Sequence, residues 1–138
     1  MSYHYNITVF TPTYNRAYIL GNLYRSLQRQ SFRDFEWLII DDGSSDNTEE
    51  LAVQWQNEGN DFPIRYDKVP NGGRCRAINK GLNLAQGKLF FIMDSDNILT
   101  DSALERVNCW EKTITDNSMI AGVIGNRGNK KGLAINLS

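Results

Sequence analysis

Short apolar runs that alternate with segments of helical period limit the fold of this chain more than any other feature of its sequence. The strongest run, Leu89–Met93, has five consecutive apolar residues, as expected for a strand that is buried on both faces of a sheet. Strands that are regularly separated by helices favour an α/β domain with a mostly parallel sheet. The predicted strands are Ile7–Thr11, Glu36–Ile40, Ile64–Val69, Leu89–Met93 and Met119–Ile124.

The segments between these strands carry apolar residues at helical spacing, so each is predicted to pack one face on the sheet. The second helix follows Asp46, which precedes Glu49 by three residues as in a capping box. Gly87 is expected to stop the third helix. The predicted helices are Ala17–Gln30, a segment with Leu51, Ala52 and Trp55, Arg74–Ala85, and Ser102–Ile114.

Length and composition indicate one globular domain that spans residues 1–138. The net charge of −1 gives no reason to expect nucleic acid or an anionic membrane surface as a partner. Cys75 and Cys109 lie far apart with no CxxC pair, which favours reduced thiols over a disulfide or a zinc site. No signal-peptide pattern and no run of roughly 18 apolar residues is present, so we expect a cytoplasmic protein without a transmembrane segment, acting in solution or at the inner face of the membrane.

An acidic pair, Asp94 and Asp96, directly follows the most apolar strand. Two carboxylates that leave a low-dielectric interior repel each other unless a cation or hydrogen-bond donors offset their charge. A hard divalent ion such as Mg²⁺ or Mn²⁺ suits this pair and typically completes its shell with water and phosphate oxygens. A strand-end turn followed by a helix cap explains the pair equally well when the residues are taken alone.

The second strand also ends in acidic residues, Asp41 and Asp42. One interpretation is a turn, with Gly43 in the left-handed conformation and Asp46 capping the next helix. The other is a ligand site, because a fixed carboxylate accepts hydrogen bonds from the N–H groups of a nucleotide base. Both interpretations can hold together.

Two further loops fall at strand ends that a parallel sheet would bring to the same edge. In the first, Pro12 stiffens the turn, Tyr14 can stack on a planar base and Arg16 supplies a cation. The second, Asn71-Gly72-Gly73, permits close backbone approach to a ligand, with Arg74 and Arg76 available for phosphate. Taken separately, these residues are typical of ordinary loops and solvated helix starts.

Together the segments resemble the donor-binding half of the family 2 glycosyltransferases of the GT-A fold. Their order and spacing agree with that family over roughly residues 5 to 125, and four ordered blocks are far more specific than a lone DxD. The matching blocks are Ile7–Arg16, Trp37–Thr48, Asn71–Gly73 followed by Ala77–Leu82, and Phe90–Asp96.

This resemblance implies a Rossmann-like GT-A domain that takes a nucleoside diphosphate sugar, with a UDP-sugar favoured, and transfers the sugar to an acceptor hydroxyl with inversion. It further implies Mn²⁺ or Mg²⁺ as cofactor, a glycan or lipid-linked acceptor, and a role in cell-envelope polysaccharide. Asp94 would face the ribose and the metal, and Asp96 would ligate the metal directly. The residues that the resemblance assigns to the donor nucleotide are Thr11, Pro12, Tyr14, Arg16, Asp41, Asp42, Asn71, Gly72, Arg76, Asp94 and Ser95.

The chain departs from the family pattern in two places. Ile78 stands where many relatives have an arginine. Gly122–Ser138 contains no Asp or Glu, so no catalytic general base is assigned. We expect either a donor half truncated at the C-terminus or a short relative, in which the apolar segment Leu133–Leu137 forms an edge covered by self-association. Arg127, Lys130 and Lys131 are expected to form a solvated basic loop, or to contact a phosphate-bearing lipid acceptor.

Three alternative functions are compatible with parts of the pattern. A non-catalytic nucleotide-sugar-binding module would need only the donor half. A phosphatase-type hydrolase also uses an Asp-x-Asp after an apolar strand, although that motif normally opens its fold. A dinucleotide-binding oxidoreductase is disfavoured because the first loop lacks the glycines that let a pyrophosphate approach a helix.

Overall fold

The computed structural model describes residues 4–113 as four strands that alternate with four helices. The predicted strand Met119–Ile124, the basic loop and the apolar segment Leu133–Leu137 lie outside these residues. The elements are β1 (Tyr5–Thr13), α1 (Ala17–Gln28), β2 (Phe35–Asp41), α2 (Thr48–Gln56), β3 (Ile64–Lys68), α3 (Arg74–Leu84), β4 (Gly87–Ile92) and α4 (Ala103–Thr113).

The four strands form one parallel sheet in the order β3-β2-β1-β4, which confirms the predicted α/β class. Val9 of β1 lies opposite Trp37 of β2 on one side and Phe91 of β4 on the other. From β1 the chain proceeds outward to β2 and β3, then returns to place β4 on the opposite side of β1. Loops that follow the strands on either side of such a reversal diverge and leave a crevice at the carboxyl edge.

The sheet is buried on both faces. On one face Val9, Trp37 and Phe91 belong to a large core that includes buried residues of α1, α2 and α4. On the other, Phe10 and Phe90 form a smaller core with α3. Adjacent residues of β4 therefore enter different cores, which explains why that strand reads as an uninterrupted apolar run.

A buried carboxylate ties the amino end of the sheet to the end of α3. Glu36 is fully buried and accepts hydrogen bonds from Thr8 Oγ1 (2.6 Å), the Gln86 N–H (2.7 Å) and Arg65 Nη1 (2.8 Å). Arg65 also donates to the Leu84 carbonyl (2.8 Å) at the last residue of α3. Because a buried charge is tolerated only when it is paired and hydrogen-bonded, this cluster is structural, and it lies at the opposite end of the sheet from the acidic loops.

Two local predictions were wrong. The capping box of α2 does not form, because Asn47 is the N-cap residue and the Asp46 N–H donates to Asn15 Oδ1 (3.3 Å). The expected contact of Asp46 with the helix start does form, since its Oδ1 accepts from the N–H of Thr48 (3.1 Å), the first helical residue. Gly87 does not stop α3. The helix ends at Leu84, and the next residue, Ala85, has an extended backbone conformation. Gly87 instead begins β4, where a Cβ would lie 2.4 Å from the Thr8 amide nitrogen.

Two predicted absences can be compared with residues 4–113. Within them no helix is long and apolar enough to cross a membrane. Cys75 and Cys109 are both free and exposed.

Candidate functional site

A cavity of about 390 Å³ lies at the carboxyl edge of the sheet, where the loops after β1, β2 and β4 meet the first turn of α3. Seven residues that the sequence assigned to the nucleotide or metal line it. The complete lining is Pro12, Thr13, Tyr14, Arg16, Asp42, Arg74, Ala77, Asp94, Ser95 and Asp96.

Two predicted nucleotide residues instead lie in the interior beside the cavity. Thr11 is fully buried, and its Oγ1 accepts a hydrogen bond from Trp37 Nε1 (2.9 Å). Asp41 is also fully buried, with Oδ1 accepting from the Ser44 N–H (2.8 Å) and Oδ2 accepting from the Tyr66 hydroxyl (2.5 Å). Burial of Tyr66 and its hydrogen bond to Asp41 raise the pKa of the tyrosine hydroxyl. These contacts support the walls of the site.

The segment Asn71-Gly72-Gly73 holds Asp42 in place and is itself outside the cavity lining. The Asp42 Oδ1 accepts from the Gly72 N–H (2.8 Å), and Oδ2 accepts from the Gly73 N–H (3.1 Å) and Asn71 Nδ2 (3.4 Å). Asn71 Nδ2 also donates to the Asp42 carbonyl (2.9 Å). Gly43 adopts the predicted left-handed conformation (φ 85°), and a Cβ there would lie 2.9 Å from the Asn71 amide nitrogen. The second and third blocks are therefore packed backbone to backbone.

Arg74, rather than Arg76, is the arginine of α3 that lines the cavity. Its Nη1 lies 2.6 Å from Asp94 Oδ1, forming an ion pair in which both side chains remain partly exposed. Ala77, three residues further along the helix, lines the same wall, as residues three apart share a helix face. The helix start at Gly73 and this spacing were the available signals for choosing between the two arginines.

Thr13 is a cavity residue that the sequence reading missed. The predicted strand ended at Thr11, whereas β1 continues to Thr13. Thr13 is 3% exposed, and within residues 4–113 its hydroxyl has no hydrogen-bond partner.

The acidic pair combines the two interpretations that its sequence allowed. The Asn97 N–H donates to the Asp94 carbonyl (3.1 Å), which closes a turn after β4. Ser95 is buried, whereas Asp94 is partly exposed and Asp96 is exposed, and all three residues line the cavity. Across the described part of the chain no three His, Cys, Asp or Glu side chains gather into a metal site. Two carboxylates are the type of ligand that a hard divalent ion takes, and an ion held by this pair alone would draw its other ligands from water and phosphate, as Mg²⁺ commonly does.

The cavity lining contains both acidic and basic side chains, with one more carboxylate than guanidinium group. The carboxylates of Asp42, Asp94 and Asp96 face it together with the guanidinium groups of Arg16 and Arg74. The lining thus carries both cationic groups that suit phosphate and a slight excess of negative charge.

The family model of glycosyl transferase family 2 matches residues 8–132, and so includes all the loops that form this cavity. The chain belongs to glycosyl transferase family 2. This membership favours neither the phosphatase nor the oxidoreductase alternative.

Individual relatives and solved structures agree with this assignment. The chain is 32% identical over 102 residues to the GalNAc(5)-diNAcBac-PP-undecaprenol beta-1,3-glucosyltransferase of Campylobacter jejuni, covering 71% of this chain and 32% of that protein. It spans about a third of the length of the first curated relatives it matches.

Two solved structures share the fold. Residues 1–349 of S. aureus TarS, in complex with UDP-GlcNAc, align with a TM-score of 0.73 at 25% identity, covering 80% of this chain and 32% of that one. The mannosyltransferase PcManGT from Pyrobaculum calidifontis, in complex with GDP-Man and Mn²⁺, aligns with a TM-score of 0.71 at 25% identity, covering 83% and 34%. The predicted GT-A fold is confirmed.

Proposed function

We propose that this chain holds the donor site of a glycosyltransferase, binding a uridine diphosphate sugar with Mn²⁺ or Mg²⁺ for transfer to an acceptor hydroxyl with inversion. The observation that carries the proposal is the convergence of Asp42, the acidic pair and two arginines on one cavity at the carboxyl edge of the sheet. The UDP-GlcNAc bound to S. aureus TarS supports the same class of donor.

The hydrogen bonds that Asp42 already accepts leave room for a nucleotide base that donates a single N–H group. A carboxylate offers about four acceptor positions, and three are used by the Asn71–Gly73 segment, two of them on Oδ2. One position remains on Oδ1. Uracil presents one ring N–H to such an acceptor, whereas guanine presents two adjacent N–H groups that call for both oxygens. This difference favours uridine over the guanosine of the PcManGT complex.

Tyr14 and Arg16 complete the nucleotide end of the cavity in this proposal. Tyr14 is 48% exposed at the rim, so its ring is available to stack on a base. Arg16 is also exposed on the lining and brings a positive charge to the same loop.

The diphosphate end of the cavity requires added positive charge. A diphosphate is anionic and the lining already has a slight excess of carboxylates, so binding without a cation would be opposed by repulsion. Asp94 and Asp96 would hold the divalent ion, which when bound supplies a Lewis acid that stabilises negative charge on the leaving nucleoside diphosphate. Arg74 neutralises Asp94 in the structure (2.6 Å) and, when the ion does so instead, can contact the diphosphate.

The acceptor half of the reaction is proposed only by chemical class. The Campylobacter jejuni relative is named for an undecaprenol-linked diphosphate substrate, which supports a lipid-linked glycan acceptor, a role in the cell envelope and action at the inner face of the membrane. The general base that activates the acceptor hydroxyl is left unassigned.

Calorimetry with UDP in the presence of Mn²⁺, and again with excess chelator, tests the donor site. We expect binding that requires Mn²⁺, that weakens at least about tenfold in Asp96→Ala, and that is tighter for UDP than for GDP. Asp61→Ala is the matched control, because Asp61 is an exposed aspartate in the α2–β3 loop, outside the cavity lining.

Each arm of this experiment contradicts a different part of the proposal. Equal UDP binding with chelator or by Asp96→Ala would refute the metal assignment. Equal affinity for GDP would refute the role given to Asp42. In a separate turnover assay with a UDP-sugar, binding without any sugar transfer or donor hydrolysis would favour the non-catalytic module.

A further inference from the structure

The loops that follow β1 and β2 are joined through one asparagine. Asn15 Oδ1 accepts hydrogen bonds from the Ser45 N–H (2.8 Å), the Ser45 hydroxyl (3.3 Å) and the Asp46 N–H (3.3 Å). The Asn15 N–H donates to Ser44 Oγ (2.8 Å). We call Asn15, Ser44, Ser45 and Asp46 the Asn15–Asp46 clasp. None of its members lines the cavity.

Asp46 connects this clasp to the starts of two helices. Its Oδ2 accepts from the Ala17 N–H (3.0 Å) at the first residue of α1. Its Oδ1 accepts from the N–H (3.1 Å) and hydroxyl (2.5 Å) of Thr48, the first residue of α2. Helix starts leave backbone N–H groups without intrahelical partners, so one carboxylate satisfies such a group on both helices. Burial acts to raise the pKa of Asp46, but the hydrogen bonds from Thr48 and Ala17 outweigh it and lower that pKa.

The backbone of Asn15 is itself unusual. Its φ is +53°, and among the described residues it is the one non-glycine residue with positive φ. This left-handed conformation is unfavourable for most residues, and asparagine tolerates it better than others. The hydrogen bonds of its side chain offset that cost. The clasp therefore holds Asn15 in a conformation that only a fraction of the molecules would adopt if the loop were unrestrained.

The residues on either side of Asn15 are the two that the β1 loop contributes to the rim, Tyr14 and Arg16. Both are exposed, with the Arg16 Nη1 donating to the hydroxyl of exposed Tyr18 (3.0 Å), so little core packing holds them. We propose that Asn15 and Asp46 are positioning residues that hold Tyr14 and Arg16 in the geometry that binds the nucleotide. This inference rests on the donor site proposed above.

The variant Asn15→Gly tests the inference because glycine accepts the same φ without strain but removes the side-chain oxygen. We expect its Kd for UDP with Mn²⁺ to rise about tenfold at a temperature where the protein remains folded. Asn60→Gly is the matched control, since Asn60 also makes three hydrogen bonds, with Gln28, Tyr24 and Trp55, but outside the cavity lining. The control should lower the unfolding temperature and leave the Kd unchanged.

A double-mutant cycle separates positioning from general stabilisation. If the clasp acts through Tyr14, then Asn15→Gly should weaken UDP binding less in a Tyr14→Ala background than in the wild type. The inference would be overturned if Asn15→Gly raised the Kd by the same factor in both backgrounds. Equal binding by Asn15→Gly and the wild type would also overturn it. A wild-type chain that binds no UDP would instead refute the donor site, and the inference with it.

Discussion

Thr13 ends β1 with a hydroxyl group that is buried at the cavity wall and has no hydrogen-bond partner within residues 4–113. A buried polar group left without a partner costs about 1–3 kcal/mol relative to a satisfied one. An apolar group of the same shape avoids that cost. Because Thr13 lies between the buried strand and the exposed Tyr14, it marks the point where the buried strand gives way to the loop that lines the cavity.

We expect Thr13→Val to raise the free energy of unfolding by about 1 kcal/mol, because valine keeps the shape of threonine and removes the unpaired hydroxyl. Chemical denaturation would measure the change. Thr13→Ala is the comparison, since it removes the same hydroxyl but also leaves a small void and should gain less. A Thr13→Val protein less stable than the wild type would show that the hydroxyl has a partner.

The acidic residues show which parts of the candidate site could be predicted from the sequence and which could not. Its pattern placed Asp42 and the DxD pair at one sheet edge, and all of them line the cavity. It could not separate Asp42 from Asp41, because neighbouring strand residues point to opposite faces and the direction depends on the last residue of β2. Asp41 is that last residue, and its carboxylate turns inward to Tyr66.

At the scale of the elements, α3 packs closely on the sheet through a glycine. A Cβ on Gly81 would lie 2.2 Å from Cε1 of Phe10, a fully buried residue of β1. The first turn of the same helix carries Arg74 and the wall residue Ala77. The depth at which α3 packs on Phe10 therefore also sets where the cavity wall lies.

Gly81→Ala should lower the free energy of unfolding by about 1–3 kcal/mol, because the new methyl group overpacks a rigid aromatic contact by more than the gain in helix propensity returns. Gly21→Ala is the matched control in α1, where the nearest atom is the end of the flexible Arg25 side chain at 3.3 Å. That control should stabilise the protein slightly. Thermal unfolding of both variants measures the difference, and a Gly81→Ala protein as stable as Gly21→Ala would contradict the close packing.

The elements themselves were largely predictable, because apolar periodicity reports which faces are buried. The ends were less so. Gly87 looked like a helix terminator, yet its requirement for glycine comes from Thr8, which is distant in sequence and adjacent in the sheet. The capping box between Asp46 and Glu49 likewise does not form, because the Asp46 N–H donates to Asn15, a residue of another loop. Local sequence cannot reveal a partner that only the sheet brings near.

At the scale of the whole molecule, Asp46 and Tyr66 are two of the groups that make the stability of the fold depend on pH, and they act in opposite directions. The pKa of Asp46 is lowered from 3.8, so its hydrogen bonds stabilise the protein above that pH, and the contribution is lost as the pH falls through the lowered pKa. The pKa of Tyr66 is raised from 10.0, so its contribution is present below pH 10 and is lost as the pH rises above it.

Urea unfolding midpoints measured from about pH 2 to about pH 11 should therefore decline at both ends. Asp46→Asn is expected to flatten the acid decline and Tyr66→Phe the alkaline one, each leaving the other arm in place. If the urea midpoint of Asp46→Asn fell at low pH as steeply as that of the wild type, the loss of stability in acid would be due to other carboxylates.

The order β3-β2-β1-β4 also has a consequence for how the chain is made. Thr8 of β1 and Gly87 of β4 are adjacent in the sheet yet 79 residues apart in the chain. At roughly 5–20 residues per second, a ribosome needs roughly 4–16 s to deliver that partner. Throughout this interval one edge of β1, most of whose residues are buried in the finished sheet, has no neighbour, the condition in which nascent chains recruit chaperones or aggregate. Among the four described strands, β1 is thus the one whose second neighbour is synthesised after the longest delay.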